Sequence, residues 1–224
     1  MTKKNNPPLR LHLGCGQTYL QGYTNIDYPA SEHTVQFKRV ADRFEDITQL
    51  RFERGSVDEV RLHHVFEHFR RPQVAAMVVC WNTWLHVGGQ LHIEVPDLGQ
   101  IARVFPNPFS GEKARAVAER HLFGSHEAVW AAHYEGYDER LLRKLLTSFS
   151  FEVDRVKRKS WRGTHNIHIF ARKKQDLATY ENARDCARRY LGDFLVDDTP
   201  GELELLRVWM GAFDAQLETG WGAA

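Results

Sequence analysis

The stretch that most constrains the fold runs from Leu9 to Asp27: an alternating run, a glycine pair, and a second short run that ends on a carboxylate. Leu9, Leu11 and Leu13 alternate with polar residues and predict a strand. Gly14-Cys15-Gly16 ends it. Two glycines astride one residue allow a sharp turn and leave no Cβ in the way of a ligand lying on it. Tyr23 to Ile26 predicts a second strand with Asp27 at its tip. At that place in an α/β unit a carboxylate can accept hydrogen bonds from both ribose hydroxyls of a nucleoside. The third glycine of G-x-G-x-x-G is missing and the loop is not a Walker A, so the stretch reads as a nucleoside site without a phosphate cradle. In isolation Gly-x-Gly is also an ordinary strand-to-helix turn, and the order of the residues beyond Asp27 decides between the two.

Phe37 to Ala41 predicts a third short strand, with Asp46 just past its end. Val57, Val60 and Leu62 predict a buried strand after Gly55, followed by Val65 to Phe69 as a loop or a single helical turn. Pro72 suits the first turn of a helix. Val74, Met77, Val78, Trp81 and Leu85 give that helix an apolar face, and Gly88-Gly89 is expected to end it. Gln90 to Val95 alternates as a strand and stops at Pro96-Asp97. Strands separated by helical or long connections argue a parallel sheet. Gly14, Asp27, Asp46, His64 and Asp97 each follow a strand's carboxyl end, the edge where open α/β sheets bind ligands.

Residues 98–136 are less regular and read as an insert over that edge, with Glu112 to Arg120 helical and His121, His126, His133 and Tyr134 beyond it. Asp138 is placed to cap a helix with Leu141, Leu142, Leu145, Leu146 and Phe149 on its core face. Phe151 to Lys159 and Asn166 to Arg172 predict an antiparallel pair. Two helices follow. The second opens on Thr199-Pro-Gly-Glu202, a capping-box pattern with proline at the first helical position. Their apolar faces must be buried, either on the same domain or against a second copy, with a homodimer the favoured expectation.

The chain has 224 residues, enough for one α/β domain with a small appendage. A net charge of +1 gives no global field toward nucleic acid or an anionic membrane. The basic run Arg155 to Lys159 is local and reads as a solvated face, with a local role toward an anionic sugar or nucleotide-linked acceptor as the alternative. Cys15, Cys80 and Cys186 are widely spaced, form neither a disulfide framework nor a thiolate metal pattern, and suit a reducing cytoplasm. No signal peptide and no membrane span is expected.

Four motifs in order resemble the class I S-adenosylmethionine-dependent methyltransferases, nearest the small bacterial type 11-like group associated with polysaccharide or secondary-metabolite genes. They are Leu11-His-Leu-Gly-Cys-Gly16, Tyr23-Thr-Asn-Ile-Asp27, Val57-Asp-Glu-Val with His64-Val-Phe-Glu-His68, and Leu85-His-Val-Gly-Gly-Gln-Leu with Val95-Pro-Asp97. The resemblance covers residues 9–97 and continues more weakly to 173. It implies a Rossmann-like, mainly parallel seven-stranded α/β sheet with an antiparallel final strand pair. The methyltransferase domain would span 9–174, between a tail at 1–8 and a helical extension at 175–224. It implies S-adenosyl-L-methionine as cofactor, with Gly14, Cys15 and Gly16 packed on it, Asp27 on the ribose, Asp46 near the adenine and His64 beside the methionine portion. Gln17-Thr18-Tyr19 departs from the first motif, and the short spacing before Asp27 implies a reduced or absent first helix.

The acceptor is expected to be a small-molecule or glycan hydroxyl. Positioning then supplies most of the acceleration, and a histidine base adds typically about 10²–10⁴-fold. His126 and His133, in the insert, are candidates for the base, and Tyr134 for orienting the acceptor. His64-Val-Phe-Glu-His68 also fits H-x-x-E-H, in which two histidines four apart on a helix share a zinc ion. A strand before it and Arg70-Arg71-Pro72 after it deny the long helix this needs, so no metal is expected. The remaining alternatives are a nucleic-acid or protein methyltransferase and a non-catalytic cofactor-binding subunit.

Overall fold

A computed structural model describes residues 7–29, 38–161, 163–177 and 179–221. Most of the expected tail, most of the loop after Asp27, Phe37 and Arg162 lie outside these residues. Strands β1 (Arg10–Leu13), β2 (Thr24–Asp27), β3 (Arg43–Phe44), β4 (Val57–His63), β5 (Leu85–Pro96), β6 (Phe151–Trp161) and β7 (Thr164–Lys173) form one seven-stranded sheet, ordered β3-β2-β1-β4-β5-β7-β6. β1 to β5 pair in parallel, and β7 runs antiparallel between β5 and β6. This is the mainly parallel α/β sheet with an antiparallel final pair expected from the sequence.

Alternation assigns the two faces. Leu11 pairs with Val60 and Leu13 with Leu62, and these continue into Leu91 and Ile93. All are buried, together with Val95, Ile167, Ile169 and Ala171. Against this apolar face packs α1 (Arg71–Trp84), which is buried nearly all round between the sheet and the C-terminal helices α5 (Tyr180–Gly192) and α6 (Pro200–Gly220). A helix enclosed on all sides is apolar on all sides, which explains Val74 to Trp84. α4 (Glu139–Ser148) covers β6 and β7, and Asp138 Oδ1 accepts from Leu141 N at 2.8 Å as its cap.

Three local expectations change. β3 is Arg43–Phe44, and residues 38–41 form no strand. α1 stops at Trp84, not at Gly88-Gly89, because Leu85 passes directly into β5, where it pairs with Val57 and its carbonyl accepts from the buried Lys173 Nζ at 2.7 Å. The capping box at Thr199 does not form: its side chain caps nothing, and Glu202 Oε2 accepts instead from Val196 N at 2.9 Å.

The C-terminal segment is tied to the rest of the chain. Asn82 of α1 donates to the carbonyls of Phe149 and Gln175, and its Oδ1 accepts from Leu177 N. Gln216 Nε2 and Thr219 Oγ1 both donate to the Thr48 carbonyl, at 2.9 and 3.0 Å, and Arg51 Nε donates to the Thr219 carbonyl at 2.6 Å. α6 thus braces the loop after β3 from behind. Among the described residues no helix is long and apolar enough to cross a membrane.

Candidate functional site

Asp27, Gly14 and His64 are brought together because β2, β1 and β4 are parallel neighbours whose carboxyl ends lie along one edge. No helix separates β1 from β2. The chain turns through residues 14–23, and Cys15 N donates to the Ile26 carbonyl at 3.1 Å. Gly14 and Gly16 have φ of +65° and +54°, in the left-handed region. A Cβ on Gly14 would stand 2.2 Å from Val65 Cγ2. From sequence that space is expected to be open to a ligand. In the structure Val65 fills it, so Gly14 is required by the turn and by the loop after β4.

A cavity of about 570 Å³ lies along this edge, lined by Gly14, Cys15, Gly16, Asp27, Asp46 and His64, among others. Its volume is that of a small-molecule or cofactor site. Every residue expected to bind cofactor is on its wall. Asp27 is buried there. Asp46 uses one carboxylate oxygen to close its own turn, with Oδ1 accepting from Thr48 N at 2.9 Å and Thr48 Oγ1 at 2.7 Å. Burial, then the Asp27 and Asp42 carboxylates, push the Cys15 thiol up to about 12, so it is not a thiolate nucleophile.

His64 has φ +54°, strained for a residue with a side chain, and strain of this kind clusters at functional sites. Its Nδ1 donates to Glu67 Oε1 at 3.2 Å, while its Nε2 is 3.7 Å from Glu94 Oε1. Burial disfavours the imidazolium, but the Glu67 hydrogen bond and the two carboxylates outweigh it and raise the His64 pKa. Glu94 is the hub of a second cluster. Oε2 lies 2.8 Å from His63 Nε2 and 3.1 Å from His168 Nδ1, and Oε1 accepts from Asn166 Nδ2 at 3.1 Å. Burial of Glu94 is outweighed by these histidines, which hold its pKa at about 2.

The three residues expected to act on the acceptor do not line the cavity. His126 is exposed, and its Nε2 donates to the Phe123 carbonyl at 3.0 Å. Tyr134 lies under the Arg70 guanidinium, 5.3 Å from the ring centre, and lines a separate groove with Arg71 and Trp209. His133 lies behind the wall, its ring edge-on to His68 at 4.7 Å. Asp97 is also engaged elsewhere, capping α2 (Leu98–Ala102) and accepting from Arg158 Nε at 3.0 Å. His68, which closes the His64-Val-Phe-Glu-His68 motif, also lines the cavity, as do Trp130, His63 and Phe69, which no sequence signal assigns to it. Trp130 carries part of the insert to this edge.

No family model matches the sequence, and no curated protein is significantly similar to it. Solved structures are similar in fold. The Burkholderia thailandensis 1,6-didemethyltoxoflavin-N1-methyltransferase, with 1,6-didemethyltoxoflavin and S-adenosylhomocysteine bound, gives a TM-score of 0.51 at 18% identity, covering 75% of this chain and 72% of that chain. The mitomycin 7-O-methyltransferase gives 0.50 at 14% identity, covering 75% of this chain and 49% of that one. The chain therefore has the fold of the S-adenosylmethionine-dependent class I methyltransferases.

Proposed function

We propose that this protein is an S-adenosylmethionine-dependent methyltransferase that acts on a hydroxyl of a small molecule or glycan. One observation carries the reading: Gly14, Cys15, Gly16, Asp27, Asp46 and His64, singled out by the ordered motifs and the resemblance they carry, converge on one cavity at the carboxyl edge of a methyltransferase-type sheet. The residues present fit the cofactor. The Asp27 carboxylate ends β2 inside the cavity, where it can accept hydrogen bonds from a ribose diol, and the tight turn at 14–16 leaves the wall there free of long side chains. When bound, the cofactor supplies an electrophilic methyl on a sulfonium. The chain's part is to hold donor and acceptor in line and to exclude water.

A hydroxyl acceptor must lose a proton, whereas an amine with a free lone pair need not. Three imidazoles on the wall, His63, His64 and His68, favour the hydroxyl. The neighbours' names include both an N- and an O-methyltransferase of small molecules. They support the size class of the acceptor and leave its atom to be measured.

The test is calorimetric titration of the wild type and Asp27→Ala with S-adenosylhomocysteine. One-site micromolar binding is expected, weakened about tenfold or more by the substitution, on the scale of about 1–3 kcal/mol for stranded hydrogen-bonding hydroxyls. Equal affinity in a folded Asp27→Ala protein would remove the ribose assignment.

A further inference from the structure

Beside the cavity, Glu67, His68 and His133 form a second constellation. One carboxylate oxygen of Glu67 and one ring nitrogen from each histidine lie within 4.8 Å of one another. The residues come from two segments already joined through the backbone. Tyr134 N and Glu135 N both donate to the Glu67 carbonyl, at 2.8 and 3.3 Å.

Both histidines are oriented from behind. His68 Nδ1 is 3.1 Å from the Ala132 carbonyl, and His133 Nδ1 is 3.1 Å from the His121 carbonyl. A carbonyl only accepts, so each Nδ1 carries the proton. In the neutral ring that leaves the Nε2 lone pair available. This is how metal-binding histidines are fixed in tautomer and direction.

Glu67 supplies the independent observation. It is 1% exposed. Its Oε1 is 3.2 Å from His64 Nδ1 and 4.0 Å from His133 Nε2, while its buried Oε2 has no hydrogen-bond partner. A buried carboxylate oxygen without a partner is uncommon, and a cation is one of the few things that satisfies it. Glu94, the neighbouring carboxylate among histidines, differs: its Oε1 accepts from Asn166 Nδ2, and its Oε2 lies within 3.1 Å of two imidazole nitrogens.

We infer that Glu67, His68 and His133 bind one divalent transition-metal ion, with zinc the expected occupant. Two imidazoles and a carboxylate are the donor set of three-ligand zinc sites that keep a fourth position open. Ligands held at about 2.0–2.2 Å in a tetrahedron stand about 3.3 Å apart, so side-chain rotation from the present spacing closes the set. His68 also lines the cavity, so an ion held there would lie at its wall, where a metal would lower the pKa of a bound hydroxyl or water. The site does not depend on the methyltransferase reading. The pattern H-x-x-E-H is present, but the ligands are not the pair of histidines four apart. His64 is replaced by His133, because the turn at 66–68 is a single 3-10 turn and not a long helix.

The test uses tag-free full-length protein, titrated with Co²⁺ while its visible ligand-field absorption is followed, with Zn²⁺ as competitor. One equivalent of Co²⁺ displaced by one of Zn²⁺ is expected, with affinity reduced about 100-fold or more in His133→Asn and Glu67→Gln, beyond the 10–100-fold typical of residues that only orient ligands. Glu94→Gln, in the other cluster, should leave the stoichiometry and spectrum unchanged. Absence of binding in folded wild type would overturn the site. So would binding that survives both ligand variants or disappears with Glu94→Gln. Titration of the same samples with S-adenosylhomocysteine reports the donor site separately.

Discussion

The two faces of the central sheet are built from alternate residues of the same strands, yet they are held in different ways. On one face Leu11, Leu62, Ile93 and Ile169 meet α1, α4 and the C-terminal helices in a dry core. On the other, the register sets Asn25, His12, Arg61, His92, Phe170 and Arg155 side by side across six strands. His12 Nδ1 pairs with Asn25 Oδ1 at 3.1 Å, the His92 and Phe170 rings stack at 4.0 Å, and the Arg155 guanidinium lies 4.1 Å over Phe170. Parallel sheets are normally covered by helices on both faces and read as continuous apolar runs. The clean alternation here, with no helix between β1 and β2, shows that a row of amide, imidazole, guanidinium and phenyl groups stands where continuous apolar packing is usual. One face is stabilised by burial, which pH does not touch. The other includes two imidazoles, His12 and His92, that titrate.

The largest effect should come from the dry face. Leu62→Ala removes a fully buried side chain beneath α1 and is expected to cost about 2–5 kcal/mol of unfolding free energy, with no pH dependence between 4 and 8. Chemical denaturation measures it, and a loss under 1 kcal/mol would mean that this face is not close-packed.

The polar face should respond to acid. Burial, helped by Arg61 and His168, lowers the His92 pKa to about 3, against the raising influence of Glu94, and His63 adds to the lowering. Burial lowers the pKa values of His12 and His168 as well. A folded pKa below the unfolded one, near 6.5, means that the unfolded chain takes up the proton first. Stability from His92 is therefore full above about pH 6.5 and is lost as the pH falls toward 3, by roughly 2–4 kcal/mol. His92→Phe keeps a ring against Phe170 and removes the proton site, so its acid limb should be flatter than that of wild type. An unchanged limb would place the acid sensitivity elsewhere.

The same contrast explains what is legible in the sequence. Leu11/Leu13, Val60/Leu62 and Leu91/Ile93/Val95 announce their strands because one face is apolar and the other is not. Asp138 and Pro72 mark helix starts because a cap and a fixed φ are local matters. Periodicity misplaces β3 because two exposed residues, Arg43 and Phe44, carry none. It also misplaces the end of α1, because Trp84 and Leu85 are both buried and burial continues unbroken across the change from helix to strand. Gly14, Asp27, Asp46 and His64 are legible as neighbours at one edge because they sit at strand ends in chain order. Trp130 is not, and neither is the placement of His126 and Tyr134 away from the cavity, because the path of the insert depends on a turn at 129–131 and on backbone bonds to Glu67 that leave no sequence signature.

The central claim is that the cavity at the carboxyl edge is where the molecule binds its donor. Hydrogen exchange of the intact chain, with and without S-adenosylhomocysteine, tests it most directly. Protection is expected at residues 14–18, 46–48 and 63–69, three of the segments that line the cavity, with the polar sheet face and the groove at Tyr134 and Trp209 unchanged. Protection confined to that groove, or no protection at ligand concentrations that saturate binding, would contradict it.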